Sequence, residues 1–206
     1  CLVNFRFATP VIDTTHKLLL NQDFSGEVFH SKNEDHSKFN FQKSLKLENI
    51  SFKYNPNQVL FDKANIEIKF GDIVGIEGKS GTGKSTLINI ICGLTKVNEG
   101  KILVDEVDIY KNLKGWQTNL GYVPQNIFLK DSKKENNIVF GEKNSINKKE
   151  KLSEVLVQSN LDKFIKSLDN GLNSSTGEKG TMISGGQVQR IGIARGLYYS
   201  PKLLIL

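Results

Sequence analysis

The chain reads as an α/β domain with a mainly parallel sheet core, and three observations lead there. A short apolar run, Ile73-Val74-Gly75-Ile76, feeds the glycine-rich loop Gly78-Lys79-Ser80-Gly81-Thr82-Gly83-Lys84-Ser85. A helical pattern, Lys84 to Cys92, follows that loop directly, so strand, loop and helix come in the order of an α/β unit. Far downstream a glycine pair, Gly185-Gly186, opens a second amphipathic helical stretch that runs to Tyr198.

The elements follow in order. Residues 1–20 place Val3, Phe5, Phe7, Val11, Ile12 and Leu18 to Leu20 among polar positions and carry Pro10. That pattern suits a helix continuing from a preceding segment and packing on a neighbour. Residues 21–44 are polar, rich in Asn, Ser, Lys and Asp, and read as a linker. From Leu45 the pattern changes: Leu45-Lys46-Leu47, Ile50 through Tyr54, and Ile66 through Phe70 alternate as strands do. Gly93 offers a stop to the helix that ends near Cys92. Further strands are expected at Ile102–Val104, Leu120–Val123 and Leu203–Leu206. Helices are expected at Lys148–Ser159, Leu161–Leu168 and Gly186–Tyr198. No internal repeat is present.

The bulk properties narrow the function classes. With 206 residues, 38% hydrophobic and 24% charged, there is room for one domain with a substantial core and an appendage. No run approaches the roughly 18 apolar residues of a membrane-spanning helix. The chain starts at Cys1, and both ends are expected to be cut from something longer. Arg6, Lys17, Lys32, Lys38 and Lys43 balance Asp13, Asp23, Glu27, Glu34 and Asp35, so the net charge of +6 lies in residues 45–206. The densest basic cluster, Lys148, Lys149 and Lys151, reads as a solvated helix face. Only three of the 28 basic residues are arginine (Arg6, Arg190, Arg195), and no nucleic-acid partner is expected. Cys1 and Cys92 give no disulfide framework; Cys92, behind Ile88, Ile90 and Ile91, reads as a buried inert thiol. His16, His30 and His36 all precede the domain body and suggest neither a metal site nor a catalytic base there.

The glycine loop fits the pattern G-x-x-x-x-G-K-[ST], whose backbone N–H groups converge on phosphate oxygens. Lys84 would set its ammonium against the β- and γ-phosphates, and Ser85 would give its hydroxyl to Mg²⁺. The helix that starts at Lys84 adds its positive dipole end, and Thr86 counts among the nucleotide contacts. Ser184 is placed to cap its own helix, so the N–H groups of Gly185 and Gly186 form a second anion cradle, with Gln187 beside it.

Ile183-Ser184-Gly185-Gly186-Gln187-Val188-Gln189-Arg190 resembles the signature L-S-G-G-Q-x-Q-R of the ABC (ATP-binding cassette) ATPases, and the resemblance covers residues 45–206. It implies a phosphate-loop NTPase fold with a parallel core, an antiparallel β subdomain and a helical signature subdomain. Tyr54 matches the aromatic that stacks on adenine, and Gln125, in Tyr122-Val123-Pro124-Gln125, matches the Q-loop residue at Mg²⁺ or the attacking water. In the family two such domains pair head to tail, with ATP between the loop of one and the signature of the other. Lys84 and Gln125 are thus the catalytic expectations, Ser85 and Gln125 the metal contacts, and ATP and Mg²⁺ the cofactors.

Ser175-Thr176-Gly177-Glu178-Lys179-Gly180 is similar to the T-x-V-G-E-x-G element of ABC exporters, and Asn136 to Gly141 to their N-I-x-F-G stretch. The exporter resemblance implies a transmembrane domain as partner, met by the region after Gln125 and by Glu178, on the cytoplasmic face of the cell membrane. Residues 1–20 would then extend a membrane helix, and Trp116 to Gly141 resembles flippases for lipid-linked saccharides. A soluble ABC ATPase of translation or DNA repair and a non-hydrolysing interaction module are the competing readings. Four positions depart from the pattern. Ile183 and Val188 replace a leucine and an arginine without touching phosphate contact. Glu106 stands where glycine would ease the turn after Asp105, and Lys134 stands where an apolar residue is usual, which puts the tightness of that loop's docking in question. The Walker B acids of the family would follow Leu206. This stretch alone is therefore expected to bind ATP weakly at most, not to turn it over, and to leave an apolar sheet edge exposed.

Overall fold

The computed structural model describes residues 39–56, 58–141, 147–177 and 183–206. The expected helix over 1–20, most of the 21–44 linker, the three histidines and Glu178-Lys179-Gly180 lie outside the described residues.

Alternation in the sequence becomes a four-stranded antiparallel sheet in the order β2-β1-β3-β4. Its strands are β1 (Ser44–Asn55), β2 (Gln58–Lys69), β3 (Glu99–Val104) and β4 (Val107–Asp108). Leu45, Leu47, Ile50 and Phe52 point to one face of β1 and are buried against Ile102 and Val104 of β3. Helix α1 (Lys84–Ile91) closes this core with Ile90 and Ile91. It is held at its end by the short helix α2 (Leu113–Gln117), whose fully buried Trp116 donates Nε1–H to the Ile91 carbonyl at 2.8 Å.

Packing begins upstream of Leu45. Phe41 is buried, with its ring edge-on to Phe70 at 5.4 Å and to Trp116 at 6.1 Å. The N–H groups of Gln42, Lys43 and Ser44 donate to the Asp105 carboxylate at 2.7, 2.8 and 2.9 Å. The end of the stretch read as linker is therefore part of the folded unit. An aromatic inside a polar run was the available sign.

That carboxylate also explains the β3–β4 turn. Asp105 and Glu106 both adopt positive φ, 47° and 68°, as a two-residue hairpin of this twist demands. No glycine relieves the conformation; three amides on Asp105 and an ion pair from Lys46 to Glu106 offset its cost.

The parallel part consists of β5 (Leu120–Tyr122) beside β6 (Leu203–Ile205). Ile73 to Ile76, expected as the strand before the glycine loop, makes no ladder among the described residues, and Ile73 is fully exposed. A strand inside a parallel sheet needs ladder partners for its N–H and C=O groups, and none of the described strands lies alongside. Leu206 is exposed as well.

A second core is helical. Here α4 (Lys148–Gln158) and α5 (Asp162–Lys166) bury Leu152, Val155, Leu156 and Ile165. They share that core with Ile138 of α3 (Lys134–Ile138) and with Ile191, Ala194 and Tyr198 on or just after α6 (Gly185–Leu197). Helix α6 approaches β5 closely: a Cβ on Gly121 would meet the Gly196 carbonyl oxygen at 2.5 Å.

Candidate functional site

The glycine loop curls over the N-terminus of α1. Gly83 occupies the cap position at φ 96°, a left-handed conformation that only glycine adopts without strain, and it makes no side-chain cap. The first amides of the helix are therefore left for a ligand. Thr82 folds the loop back, its Oγ1 donating to the Lys79 carbonyl at 2.8 Å. The Lys84 ammonium sits within the curl and donates to the carbonyls of Gly78 at 2.7 Å and Lys79 at 2.8 Å. Ser80, Gly81 and Ser85 are exposed, and a Cβ on Gly81 would meet nothing within 4 Å, so the mouth of the cradle is open. An open ring of amides with a cation at its centre fits a polyphosphate.

Tyr54 stands beside this loop at the end of β1. It is 60% exposed, its ring meets Phe52 edge-on at 5.0 Å, and its hydroxyl lies 2.8 Å from Thr86 Oγ1. Ser85 and Thr86 thus face opposite ways, the first to solvent and the second into the protein.

The second glycine site is a capping box. Ser184 Oγ accepts from the Gln187 N–H at 3.4 Å, and Gln187 Oε1 accepts from the Ser184 N–H at 3.0 Å. Gln187 spends its side-chain oxygen on this reciprocal bond, which fixes the cradle. The Ser184 hydroxyl keeps its proton to donate. Open space surrounds Gly185 and Gly186, where a Cβ would touch nothing within 4 Å.

A cleft of about 530 Å³ lies at the carboxyl ends of β5 and β6, the end where open α/β sheets bind ligands. Ser85 and Ile88 of α1 line one side, Gln125 with its neighbour Pro124 the next, and Gly185, Val188 and Gln189 of α6 the other. The sequence-predicted residues Ser85, Gln125 and Gly185 are thereby brought to one opening; Tyr54 lies outside it. Ser85 offers a hydroxyl and Gln125 an amide oxygen, a hard-oxygen donor pair of the kind that suits Mg²⁺. Among the described residues no cluster of His, Cys, Asp and Glu could hold a metal ion.

A polar network missed in the sequence ties the Gln125 segment to α6. Asn137 is fully buried; its Oδ1 accepts from the Lys130 N–H at 2.9 Å and its Nδ2 donates to the Lys130 carbonyl at 3.0 Å. Thr176, also fully buried, donates to the Lys130 carbonyl at 2.7 Å. Lys134 is 3% exposed and donates to the Ser175 carbonyl at 2.6 Å, with its ammonium 5.9 Å from the Phe164 ring. Burial holds its pKa below the ordinary lysine value. Lys134 itself thus docks the loop whose fit its charge had put in question. Arg195 completes the network from α6, donating Nε–H to the Asn137 carbonyl at 2.8 Å. Burial lowers its pKa, and its guanidinium lies 5.5 Å from the Phe140 ring. An arginine among Ile191, Ile193 and Ala194 was the one sequence sign of this. Elsewhere Cys92 is buried, and desolvation pushes its thiol up to about 11, in keeping with an inert side chain.

Fold and site together define a phosphate-loop nucleotide-binding domain with a second, capped glycine helix. The family model for ABC transporters matches residues 61–206. An ABC transporter B family member 13 of Arabidopsis thaliana is 39% identical over 165 residues, covering 79% of this chain and 13% of that protein. An ATP-dependent lipid A-core flippase of Francisella tularensis is 36% identical over 163 residues, covering 79% of this chain and 26% of that protein. The structure of a bacterial Atm1-family ABC exporter with ATP bound superposes with a TM-score of 0.76 at 26% identity, over 98% of this chain and 35% of that one. The chain belongs to the ABC transporter family and carries its nucleotide-binding domain. It spans only about a quarter or less of the length of these curated relatives.

Proposed function

We propose that this chain is the ATP-binding domain of an ABC exporter, in which ATP binding and hydrolysis drive a substrate across a membrane. The observation that carries the reading is the pairing of two unlike anion cradles on one scaffold: the Lys84-centred loop and the capped Ser184 helix. The loop amides and the Lys84 ammonium hold the β- and γ-phosphates, and Tyr54 receives the adenine on its exposed face. Ser85 and Gln125 would hold Mg²⁺, which neutralises charge across those phosphates when bound. Charge on the transferred phosphoryl group is then met by Lys84 on one side. On the other side stand the Ser184 hydroxyl and the amides of Gly185 and Gly186, supplied by a second copy of the domain.

In the whole protein a transmembrane domain docks on the segment after Gln125 and on Glu178, at the cytoplasmic face of the membrane. The names of the relatives favour this over a soluble ATPase of translation or DNA repair. The substrate class stays broad: lipid, lipid-linked saccharide, peptide or drug.

The test is crosslinking in the intact protein, with Cys1 replaced by serine and cysteines placed by Ser80→Cys and Ser184→Cys. An ATP-dependent disulfide between protomers supports the reading. A bond formed within one protomer, or equally with and without ATP, contradicts it.

A further inference from the structure

The Tyr54–Thr86 contact gives Thr86 a task that the phosphate-loop pattern does not assign to it. Thr86 is 7% exposed, and its hydroxyl meets the Tyr54 phenol at 2.8 Å. Its neighbour Ser85, one step nearer the loop, is exposed and lines the cleft. The two adjacent hydroxyls therefore serve different ends of the site.

We propose that Thr86 is a positioning residue for the base end of the nucleotide: its hydroxyl holds the Tyr54 phenol and so fixes the ring plane against which adenine stacks. The inference rests on the reading of this chain as an ATP-binding domain with the base on Tyr54. An exposed aromatic at a strand end is otherwise free to change rotamer. Here one end of the ring is held by Thr86 and its edge by Phe52, 5.0 Å away at an interplanar angle of 85°. A ring whose rotamer is already held loses less freedom when the ligand arrives, and that is a gain in affinity. Thr86 lies in the first turn of α1, whose N-terminus supplies the loop amides. The same contact therefore ties the ring to the helix that carries the phosphate cradle.

The experiment measures equilibrium binding of ATP and of inorganic tripolyphosphate to the intact protein and to Thr86→Val, Thr86→Ser, Tyr54→Phe and the Thr86→Val/Tyr54→Phe pair. Each of Thr86→Val and Tyr54→Phe weakens ATP about three- to tenfold, the effect of one lost hydrogen bond. The double variant is no weaker than either single one, Thr86→Ser retains the original affinity, and tripolyphosphate binds all of them alike. Tyr54 is exposed, so Tyr54→Phe reports even if Thr86→Val folds poorly. Additive losses overturn the inference, as does an equal loss for tripolyphosphate, which would make Thr86 a phosphate contact. Failure of the unaltered protein to bind either probe overturns the nucleotide reading itself, and the inference with it.

Discussion

Arg195 grips the backbone carbonyl of Phe128 with both terminal nitrogens, at 3.2 and 3.1 Å. Through its Nε it also holds the Asn137 carbonyl. The helix that begins with the glycine cradle is thereby clamped to the segment that follows Gln125. A lysine offers one ammonium in place of the planar fork and cannot reach both carbonyls in this geometry. Arg195→Lys is expected to lower the unfolding free energy by about 1–2 kcal/mol, read from urea denaturation. An unchanged midpoint would show that the clamp carries no weight.

Lys134 is a buried cation whose partners are a carbonyl and an aromatic ring, and among the described residues no carboxylate pairs with it. Its folded pKa lies below its unfolded value, so between the two the unfolded chain binds more protons and stability rises with pH. Lys134→Met keeps the volume and removes the desolvated charge. It is expected to leave stability within about 1 kcal/mol or to raise it, and to abolish the alkaline rise. Lys134→Ala empties the site and should cost more. Thermal melts between neutral and alkaline pH separate these outcomes.

The carboxylate of Asp105 is shifted in the same direction, so stability again rises with pH, but in the acid range, and here the charged form is the stabilising one. Burial raises the carboxyl pKa, but the amides of Ser44, Gln42 and Lys43 outweigh it and hold the group below the usual carboxylate range. A depressed folded pKa means a contribution present above the unfolded value of about 3.9 and lost as pH falls through the folded one. Asp105→Asn should therefore destabilise the domain at neutral pH and flatten its acid limb. An acid denaturation profile parallel to the original would exclude Asp105 as a source of the acid sensitivity.

Gly121 and Gly196 bring β5 and α6 within backbone contact, next to Tyr122 and Val123, which line the cleft. A Cβ on Gly121 would lie 2.5 Å from the Gly196 carbonyl oxygen, and backbone cannot swing aside as a flexible side chain can. Gly121→Ala is expected to cost about 1–3 kcal/mol, measured by denaturation, and to weaken Mg²⁺-ATP binding by displacing Gln125.

Where the sequence repeats a period, it proved readable. The alternation at Leu45 to Tyr54 became one strand, Ser44–Asn55, and the stretch from Lys84 became a helix ending at Ile91 beside Cys92. Leu113–Gln117 and Lys134–Ile138 escaped because helices this short show no period. Their order comes from contacts distant in sequence, such as Trp116 on the Ile91 carbonyl and Asn137 on Lys130. The glycine motifs were legible because their chemistry needs those residues at that spacing. Thr86 turning to Tyr54 is a three-dimensional choice that spacing does not encode.

Lys84 bears most directly on the central claim, because its ammonium is held inside the loop's curl. Isothermal titration of ATP into the intact protein and into Lys84→Met is the deciding measurement. The account predicts about ten- to hundredfold weaker binding, the worth of a hydrogen bond to a charged group, with the melting temperature nearly unchanged. Equal affinity in the two proteins would mean that the triphosphate is held somewhere else.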